Sequence, residues 1–160
     1  MSTRTVTTTT NEKNHIRYDY EVDNIFLNFP NQQETKTIVN GTASERTVLA
    51  GTLVGLTSAD QTVAKELAIA ANDGSQFPFG FVLYDTVIAA GASEEAEVLI
   101  GRGDDQASIF EDKITLNGTE TLDTVVTQLG ITLRNAIAAY VPVKIEPTAQ
   151  NVSGYKDAQV

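Results

Sequence analysis

Cysteine is absent from this sequence of 160 residues, and histidine occurs once. Without cysteine the chain has no disulfide, thiolate nucleophile, iron–sulfur cluster or cysteine-ligated zinc. A chain of this length suits one domain and can bury roughly 70% of the surface that its unfolded form exposes. We therefore expect packing and association between chains to supply the stability.

Basic residues are also few, with 11 Lys and Arg against 21 Asp and Glu, which gives a formal net charge of -10. The Lys and Arg residues are scattered singly along the chain. Neutralising the phosphates of a nucleic acid requires clustered positive charge. We therefore expect no nucleic-acid partner.

Long apolar runs are missing as well. The longest, such as residues 79–84 and 137–143, are far shorter than the ~20 residues that cross a bilayer. The Thr-rich start does not resemble a signal peptide. These features predict a soluble protein that has no membrane partner and is not secreted by the general route.

Groups that could perform catalysis are sparse. The sole histidine, His15, falls on the polar side of a predicted strand, and nothing near it resembles a strained nucleophile turn. The acidic pairs Glu94–Glu95 and Asp104–Asp105 consist of adjacent residues, which point to opposite faces of a strand or lie in a turn. A surface histidine and solvated acidic loops are favoured over a catalytic triad and a weak calcium site. We expect no enzymatic activity, no metal and no cofactor.

Short recognition motifs occur in the sequence without a context that supports them. Residues 101–104 contain an RGD tripeptide, which integrins recognise but which also occurs by chance. Asn40, Asn117 and Asn151 each begin a glycosylation acceptor pattern. Because nothing implies a secretory route, these positions are better interpreted as turns.

The amino-terminal region has the pattern of an extended arm. Residues 1–14 are almost wholly polar, so they are either an unstructured terminus or, because threonine favours extended backbone, a strand that adds to the sheet edge of a partner. Residues 15–22 alternate strictly, which predicts a strand with one apolar face. That face consists of Ile16, Tyr18, Tyr20 and Val22. Residues 25–29 continue the alternation, and the polar residues 31–36 predict a loop.

The central region, residues 46–101, consists of short apolar runs separated by glycine, a pattern typical of a small β-sandwich or barrel. Residues 72–74, with the sequence Asn-Asp-Gly, predict a turn. Residues 59–70 could form a helix, but we favour a strand from Leu67 onward. Phe77, Phe79 and Phe81 fall on one strand face, which predicts core packing, with a subunit interface as the alternative.

One helix is predicted near residues 121–138, where apolar residues follow helical spacing. Thr121 can cap this helix, Asp123 lies in its first turn, and Gly130 lies inside it. Val141, Val143 and Ile145 then alternate as a closing strand, and Pro142 predicts that this strand lies at a sheet edge.

Several of these segments together resemble the core of the bacteriophage head decoration proteins, the family of the lambda capsid-cementing protein. The similar elements are residues 51–54 (GTLV), the turn at 72–74, residues 80–83 (GFVL) before Asp85, and residues 96–100 (AEVLI) before Arg102–Gly103. Residues 121–136 (TLDTVVTQLGITLRNA) resemble the helical part that closes such domains. The resemblance covers about residues 45–146.

The resemblance implies a fold and a set of segments. The fold is a small, mainly β domain with one helix (α+β), of sandwich or barrel-like β-tulip type, with an extended N-terminal arm. We divide the chain into residues 1–44 (arm and leading strands), 45–146 (decoration-type core) and 147–160 (polar tail).

The resemblance also implies a function. Members of this family gather as homotrimers on the outer surface of the expanded phage head, where they bind the major capsid protein and cement its subunits against the pressure of packaged DNA. The protein would then be a virion component that passes through the host cytoplasm during assembly. The alternative is a phage surface or tail-associated module that binds a carbohydrate or host receptor through exposed aromatic residues.

The residues expected to bind the capsid all lie in the arm. One set would pair with a capsid strand, and a second set would anchor the arm. The first set is Thr3, Arg4, Thr5, Val6, Thr7, Thr8, Thr9 and Thr10, and the second is Ile16, Tyr18 and Tyr20.

Overall fold

The computed structural model of the chain describes residues 6–10, 16–20, 25–28, 33–100, 107–141 and 143–146. Within these residues the protein is mainly β with one α-helix, as predicted. The strands are β1 (Val6–Thr10), β2 (Ile16–Tyr20), β3 (Phe26–Asn28), β4 (Gln33–Val39), β5 (Arg46–Val48), β6 (Leu53–Leu56), β7 (Val63–Glu66), β8 (Gly80–Val82), β9 (Thr86–Ile88), β10 (Ser93–Leu99), β11 (Ser108–Phe110), β12 (Val125–Val126), β13 (Ile131–Thr132) and β14 (Lys144–Glu146). The helix is α1 (Leu133–Tyr140), and Glu111–Lys113 form a 3₁₀ turn.

Five strands close into a barrel in the order β10-β4-β7-β6-β8. All neighbouring strands are antiparallel except β4 and β7, which are parallel. The longest ladder joins β4 to β10 from Ser93 opposite Val39 to Leu99 opposite Gln33. The predicted barrel-like domain is therefore confirmed.

The barrel interior is filled by small and branched side chains. Because side chains alternate between the two faces of a strand, each strand contributes only its inward positions. The fully or nearly fully buried interior residues from the five strands are Ile38, Val54, Ala64, Val82, Ala96 and Val98. Val48 of β5 and Ile88 of β9 pack into the same cluster, so the antiparallel β5–β9 pair packs on the barrel interior.

A second apolar cluster lies outside the barrel wall. Leu53, Phe81 and Leu99 occupy the alternate positions of β6, β8 and β10, and they pack against α1. The helix buries Leu133 and Ile137 in this cluster. The wall made by β6, β8 and β10 is therefore buried on both faces.

A three-stranded sheet in the order β14-β11-β3 adjoins the outer cluster. Its central strand β11 runs parallel to β14 and antiparallel to β3. Ile109 of β11 is fully buried in the outer cluster. The closing strand was predicted to lie at a sheet edge, and β14 does; Pro142, the basis of that prediction, lies outside the described residues.

The predicted helix over residues 121–138 is wrong in extent, because α1 begins only at Leu133. Residues 125–126 and 131–132 instead form the β12–β13 hairpin. Gly130 turns the chain with φ of +67°, a left-handed conformation that cannot continue a right-handed helix. Thr132, not Thr121, caps α1, and its hydroxyl accepts a hydrogen bond from the Asn135 amide at 3.4 Å.

Two further predictions about local structure are wrong. The loop predicted for residues 31–36 is largely strand, because β4 begins at Gln33 and is part of the barrel. The strand predicted from Leu67 onward lies earlier in the chain, at β7, and residues 59–70 form no helix. The turn at residues 72–74 is confirmed, with Gly74 at φ of +101°.

Candidate functional site

Of the amino-terminal residues predicted to bind the capsid, those in the ranges 6–10 and 16–20 lie in a β-hairpin. β1 pairs with β2 in antiparallel register, with Thr8 opposite Tyr18. Threonine's branched side chain favours extended backbone, and the alternation of residues 16–20 suits a strand. The structure therefore brings the described members of the two predicted sets of arm residues side by side.

The register of this hairpin determines which of its residues lie on the same face. Because opposite residues share a face and neighbours alternate, one face carries the apolar and aromatic positions. These are Val6 opposite Tyr20, Thr8 opposite Tyr18 and Thr10 opposite Ile16. The other face carries Thr7 opposite Asp19 and Thr9 opposite Arg17. Thr3, Arg4, Thr5 and His15 lie outside the described residues.

β1 and β2 form a two-stranded sheet of their own. Among the described residues neither strand pairs with the barrel or with the β14-β11-β3 sheet. Each strand of a two-stranded sheet directs alternate backbone N–H and C=O groups away from its partner strand. Such an edge can accept a further strand from another chain.

A second candidate surface, which the sequence analysis missed, lies on the outer side of the β5–β9 strand pair. Thr47 pairs with Val87 on this side, and Leu49 follows two residues after Thr47. Leu49 is 48% exposed and Val87 54% exposed, and Tyr84, two residues before β9, is 57% exposed. We call Thr47, Leu49, Tyr84 and Val87 the β5–β9 face. Next to this face, the Asp85 carboxylate accepts a hydrogen bond from the Ala50 amide at 2.7 Å, which joins the segment after β5 to the segment before β9.

The β5–β9 face is exposed because the neighbouring residues in both strands point into the barrel interior. Val48 and Ile88, the inward neighbours of Thr47 and Val87, are buried in the barrel interior. The alternation of side chains along β5 and β9 therefore directs Thr47 and Val87 outward. Grouped exposed apolar side chains are typical of interaction surfaces, whereas single ones are common on any protein.

The three phenylalanines predicted to share one face do not do so. Phe81 is fully buried in the outer cluster. Phe79 is half-buried and packs on the barrel interior instead, with the Lys36 ammonium 5.1 Å from its ring centre. Phe77 is 37% exposed. Core packing is therefore confirmed for Phe81, and these three rings form no common aromatic surface.

The described residues contain few groups arranged for metal binding or catalysis. Within them no cluster of three or more His, Asp or Glu side chains could hold a metal ion. Glu94 and Glu95 are exposed consecutive residues of β10, whereas Asp104, Asp105 and the RGD tripeptide lie outside the described residues. A small cavity of about 100 Å³ is lined by Thr52, Glu66, Thr115, Leu116, Asn117 and Gly118. The Glu66 carboxylate forms an ion pair with the Arg46 guanidinium, with Oε2 and Nη1 3.2 Å apart.

The ionisable groups with clearly shifted pKa values hold loops together. The side-chain hydrogen bond from Lys65, at 2.7 Å, and the bonds from Ser75 strongly lower the pKa of Asp73. Hydrogen bonds from Thr62 lower the pKa of Asp60, and the Arg134 guanidinium lowers the pKa of Glu111. A general acid or base requires a pKa near the working pH. These carboxylates are shifted away from neutrality and therefore act as structural anions.

The asparagines of two glycosylation acceptor patterns have different environments. Asn40 is fully buried, so its amide is inaccessible to a glycosyl transferase in the folded protein. Asn117 is exposed in a turn, and Asn151 lies outside the described residues. The predicted turn is confirmed at Asn117, whereas Asn40 directly follows β4 and the chain bends only at residues 42–44.

Comparisons of the chain with models of protein families, with curated proteins and with solved structures each found no match. Among the described residues no helix is long and apolar enough to cross a membrane. The function is therefore inferred from the residues and geometry of this chain and from the resemblance noted above.

Proposed function

We propose that this chain is a head decoration protein of a bacteriophage, without enzymatic activity, that binds the outer surface of the expanded head and cements neighbouring capsid subunits. The observation that carries this proposal is the separate β1–β2 hairpin, which is threonine-rich and whose outer edges pair with no other described strand. An isolated two-stranded hairpin is marginally stable in water. A third strand or an apolar surface from a partner would stabilise it.

The partner of the hairpin in this proposal is the major capsid protein. A strand from a capsid subunit adds to one edge through main-chain hydrogen bonds, and the face carrying Ile16, Tyr18 and Tyr20 is covered in the complex. Main-chain pairing supplies affinity, and the aromatic positions supply specificity. Thr3, Arg4 and Thr5, which lie outside the described residues, are proposed to contact the same partner.

Self-association is the second part of the proposal. Identical chains with a net charge of -10 repel each other unless they meet through a surface of low charge. We infer that the β5–β9 face is such a surface, because its four residues carry no charge and three of them are exposed apolar side chains. The one carboxylate next to it, that of Asp85, accepts a hydrogen bond from the Ala50 amide. A homotrimer built through this face would present three hairpins to the head. Three modest contacts would then sum to a tight attachment through effective concentration.

The charge balance also favours an outer location over the head interior. A strongly acidic protein is repelled by the phosphates of packaged DNA. We therefore propose no nucleic-acid partner, no membrane partner and no cofactor.

Co-sedimentation of the purified protein with expanded and unexpanded empty heads of its phage tests the proposal. We expect saturable binding to expanded heads and little binding to unexpanded ones. If neither kind of head binds the protein, the decoration function is wrong, and recognition of a carbohydrate or host receptor becomes the leading hypothesis.

Two adjacent proline substitutions test whether strand pairing carries the binding. Consecutive residues of a strand direct their N–H groups to opposite edges, so Thr8→Pro and Thr9→Pro remove one N–H that faces β2 and one that faces outward. We expect both to weaken binding to expanded heads at least about tenfold, one by disrupting the hairpin and the other by blocking the added strand. The matched variants Thr8→Val and Thr9→Val keep the N–H and should bind normally. Full binding by both proline variants would rule out the hairpin as the attachment element.

A further inference from the structure

The sequence contains two Asn-Gly dipeptides, Asn40–Gly41 and Asn117–Gly118, and each is followed by threonine. An asparagine followed by glycine is prone to cyclise, because glycine has no side chain to hinder attack by its backbone nitrogen and adopts a wide range of dihedral angles. The two sites are therefore alike in local sequence. Their environments in the folded protein differ.

Asn40 is held by hydrogen bonds on both ends of its carboxamide and has no solvent exposure. Its Nδ2 donates to the carbonyl oxygens of Ser44 at 2.8 Å, Ile88 at 2.9 Å and Ala89 at 3.1 Å. Its Oδ1 accepts hydrogen bonds from the backbone N–H and the hydroxyl of Thr42. Rotation of this carboxamide toward the Gly41 nitrogen would break all of these bonds.

Asn117 lies in an exposed turn closed by a backbone hydrogen bond from the Glu120 amide to its carbonyl oxygen at 3.3 Å. In the part of the chain that the structure describes, neither its carboxamide nor the Gly118 N–H forms a hydrogen bond. Gly118 has φ of +63°, and a Cβ built there would meet no heavy atom within 4 Å. The carboxamide is therefore able to rotate, and space surrounds the nitrogen that would attack it.

We propose that Asn117 is a site of spontaneous deamidation in the folded protein and that the fold protects Asn40 from the same reaction. The Gly118 nitrogen attacks Cγ of Asn117, a new N–Cγ bond forms, and the Cγ–Nδ2 bond breaks. Ammonia leaves with the proton lost from the Gly118 nitrogen, which leaves a five-membered succinimide. Water then opens this ring at either carbonyl and produces aspartate or isoaspartate at position 117.

The modification adds a negative charge beside the small cavity that Asn117 and Glu66 both line. Isoaspartate also lengthens the backbone two residues after Thr115, whose carbonyl oxygen accepts a hydrogen bond from the Leu53 amide at 3.1 Å. The reaction therefore changes charge and backbone at the barrel surface without any enzyme. This inference does not depend on the proposed function.

Peptide mapping by mass spectrometry of the full-length protein, aged at mildly alkaline pH, tests the proposal. Deamidation and isoaspartate at each Asn-Gly site are followed over time in the same sample, so that Asn40 serves as the internal control. In native protein we expect position 117 to react more than about tenfold faster than position 40, which corresponds to a difference of about 1.4 kcal/mol between the barriers. In protein unfolded by urea, the two sites should react at similar rates.

Equal rates at the two sites in native protein would overturn the proposal, as would an unmodified position 117 in a native sample whose unfolded counterpart reacts there. Asn117→Gln provides a second check, because its longer side chain would have to close a six-membered ring. We expect this variant to keep its native charge throughout the ageing period, as followed by isoelectric focusing. If it becomes acidic as fast as the wild-type protein, deamidation at position 117 is not the source of the charge change.

Discussion

At the scale of single residues, Asn40 shows how a buried polar side chain can organise a loop. Its carboxamide joins the end of β4 to the end of β9, through the carbonyls of Ile88, the last residue of β9, and of Ala89. The sequence predicted a turn at Asn40, but not its burial. Burial depends on Ile88, 48 residues further along the chain. Local sequence could not distinguish Asn40 from Asn117, because both precede glycine and threonine.

We expect Asn40→Ala to lower the free energy of unfolding by about 2–4 kcal/mol, because buried carbonyl oxygens lose their donors. The matched variant Asn117→Ala removes an exposed carboxamide and should change stability by less than about 0.5 kcal/mol. Urea unfolding followed by circular dichroism gives both values. Similar losses in the two variants would show that the Asn40 hydrogen bonds do not stabilise this loop.

At the scale of elements, the β12–β13 hairpin explains why the helix was predicted too long. Leu122, Val126 and Leu133 are buried as helical spacing requires, but the chain folds back between them. The first N–H groups of a helix lack partners inside it. In α1 the amides of Leu133 and Arg134 donate to the carbonyls of Thr124 and Leu122, both at 2.8 Å. Residues 122–124 therefore contact the start of the helix and are not part of it.

Strands whose signal is local were predicted well, and those that depend on tertiary contacts were not. The alternation of residues 16–20 and the apolar run that ends β10 predicted strands that the structure contains. β4 was missed because Lys36 is polar yet points inward. Its ammonium contacts Glu34 at 2.9 Å and donates to the Gln61 carbonyl at 3.1 Å. These partners are brought together only by the barrel, whose strand order also could not be read from local patterns.

The loop between β7 and β8 should be sensitive to acid. Asp73 accepts hydrogen bonds from Lys65 and Ser75, which lower its pKa in the folded state. A lowered folded pKa means that this stabilisation is complete above the ordinary value of 3.8 and is lost as the pH falls below it. We expect Asp73→Asn to cost up to about 1 kcal/mol near neutral pH, the upper end for exposed ion pairs. The difference from wild type should shrink below about pH 3.8.

Urea unfolding of both proteins across this pH range measures the effect. Glu45→Gln is the control, because Glu45 is exposed and forms no ion pair or hydrogen bond with the described residues. Its stability difference from wild type should stay near zero at every pH. A difference for Asp73→Asn that does not change with pH would mean that the carboxylate charge does not hold the loop.

At the scale of the whole molecule, the candidate surfaces were predictable to different degrees. The composition of residues 3–20 indicated an arm suited to strand pairing, but the register of β1 with β2 had to come from the structure. The β5–β9 face was missed because residues 47–49 and 86–88 resemble ordinary strands. The exposure of Leu49 and Val87 follows from the packing of Val48 and Ile88 into the barrel interior.

The proposed homotrimer depends on the β5–β9 face, and a charge placed there should separate the chains. In Val87→Glu, association through this face would bury a carboxylate from each chain. Burying these carboxylates is unfavourable, and each chain already carries a net charge of -10. We expect this variant to sediment as a monomer at concentrations where the wild-type protein is a trimer. Val125→Glu is the matched control, because Val125 is 52% exposed on β12, close to the 54% of Val87. It adds the same charge elsewhere and should remain trimeric.

Sedimentation velocity over a range of concentrations measures the oligomeric state, and circular dichroism checks that both variants are folded. A trimer that persists in Val87→Glu would place the subunit contact elsewhere on the molecule. Binding to expanded heads then connects the face to the function: a monomer with an intact hairpin keeps a single contact and loses the gain from linked contacts. We therefore expect Val87→Glu to bind heads weakly and reversibly, and Val125→Glu to bind them as tightly as the wild-type protein.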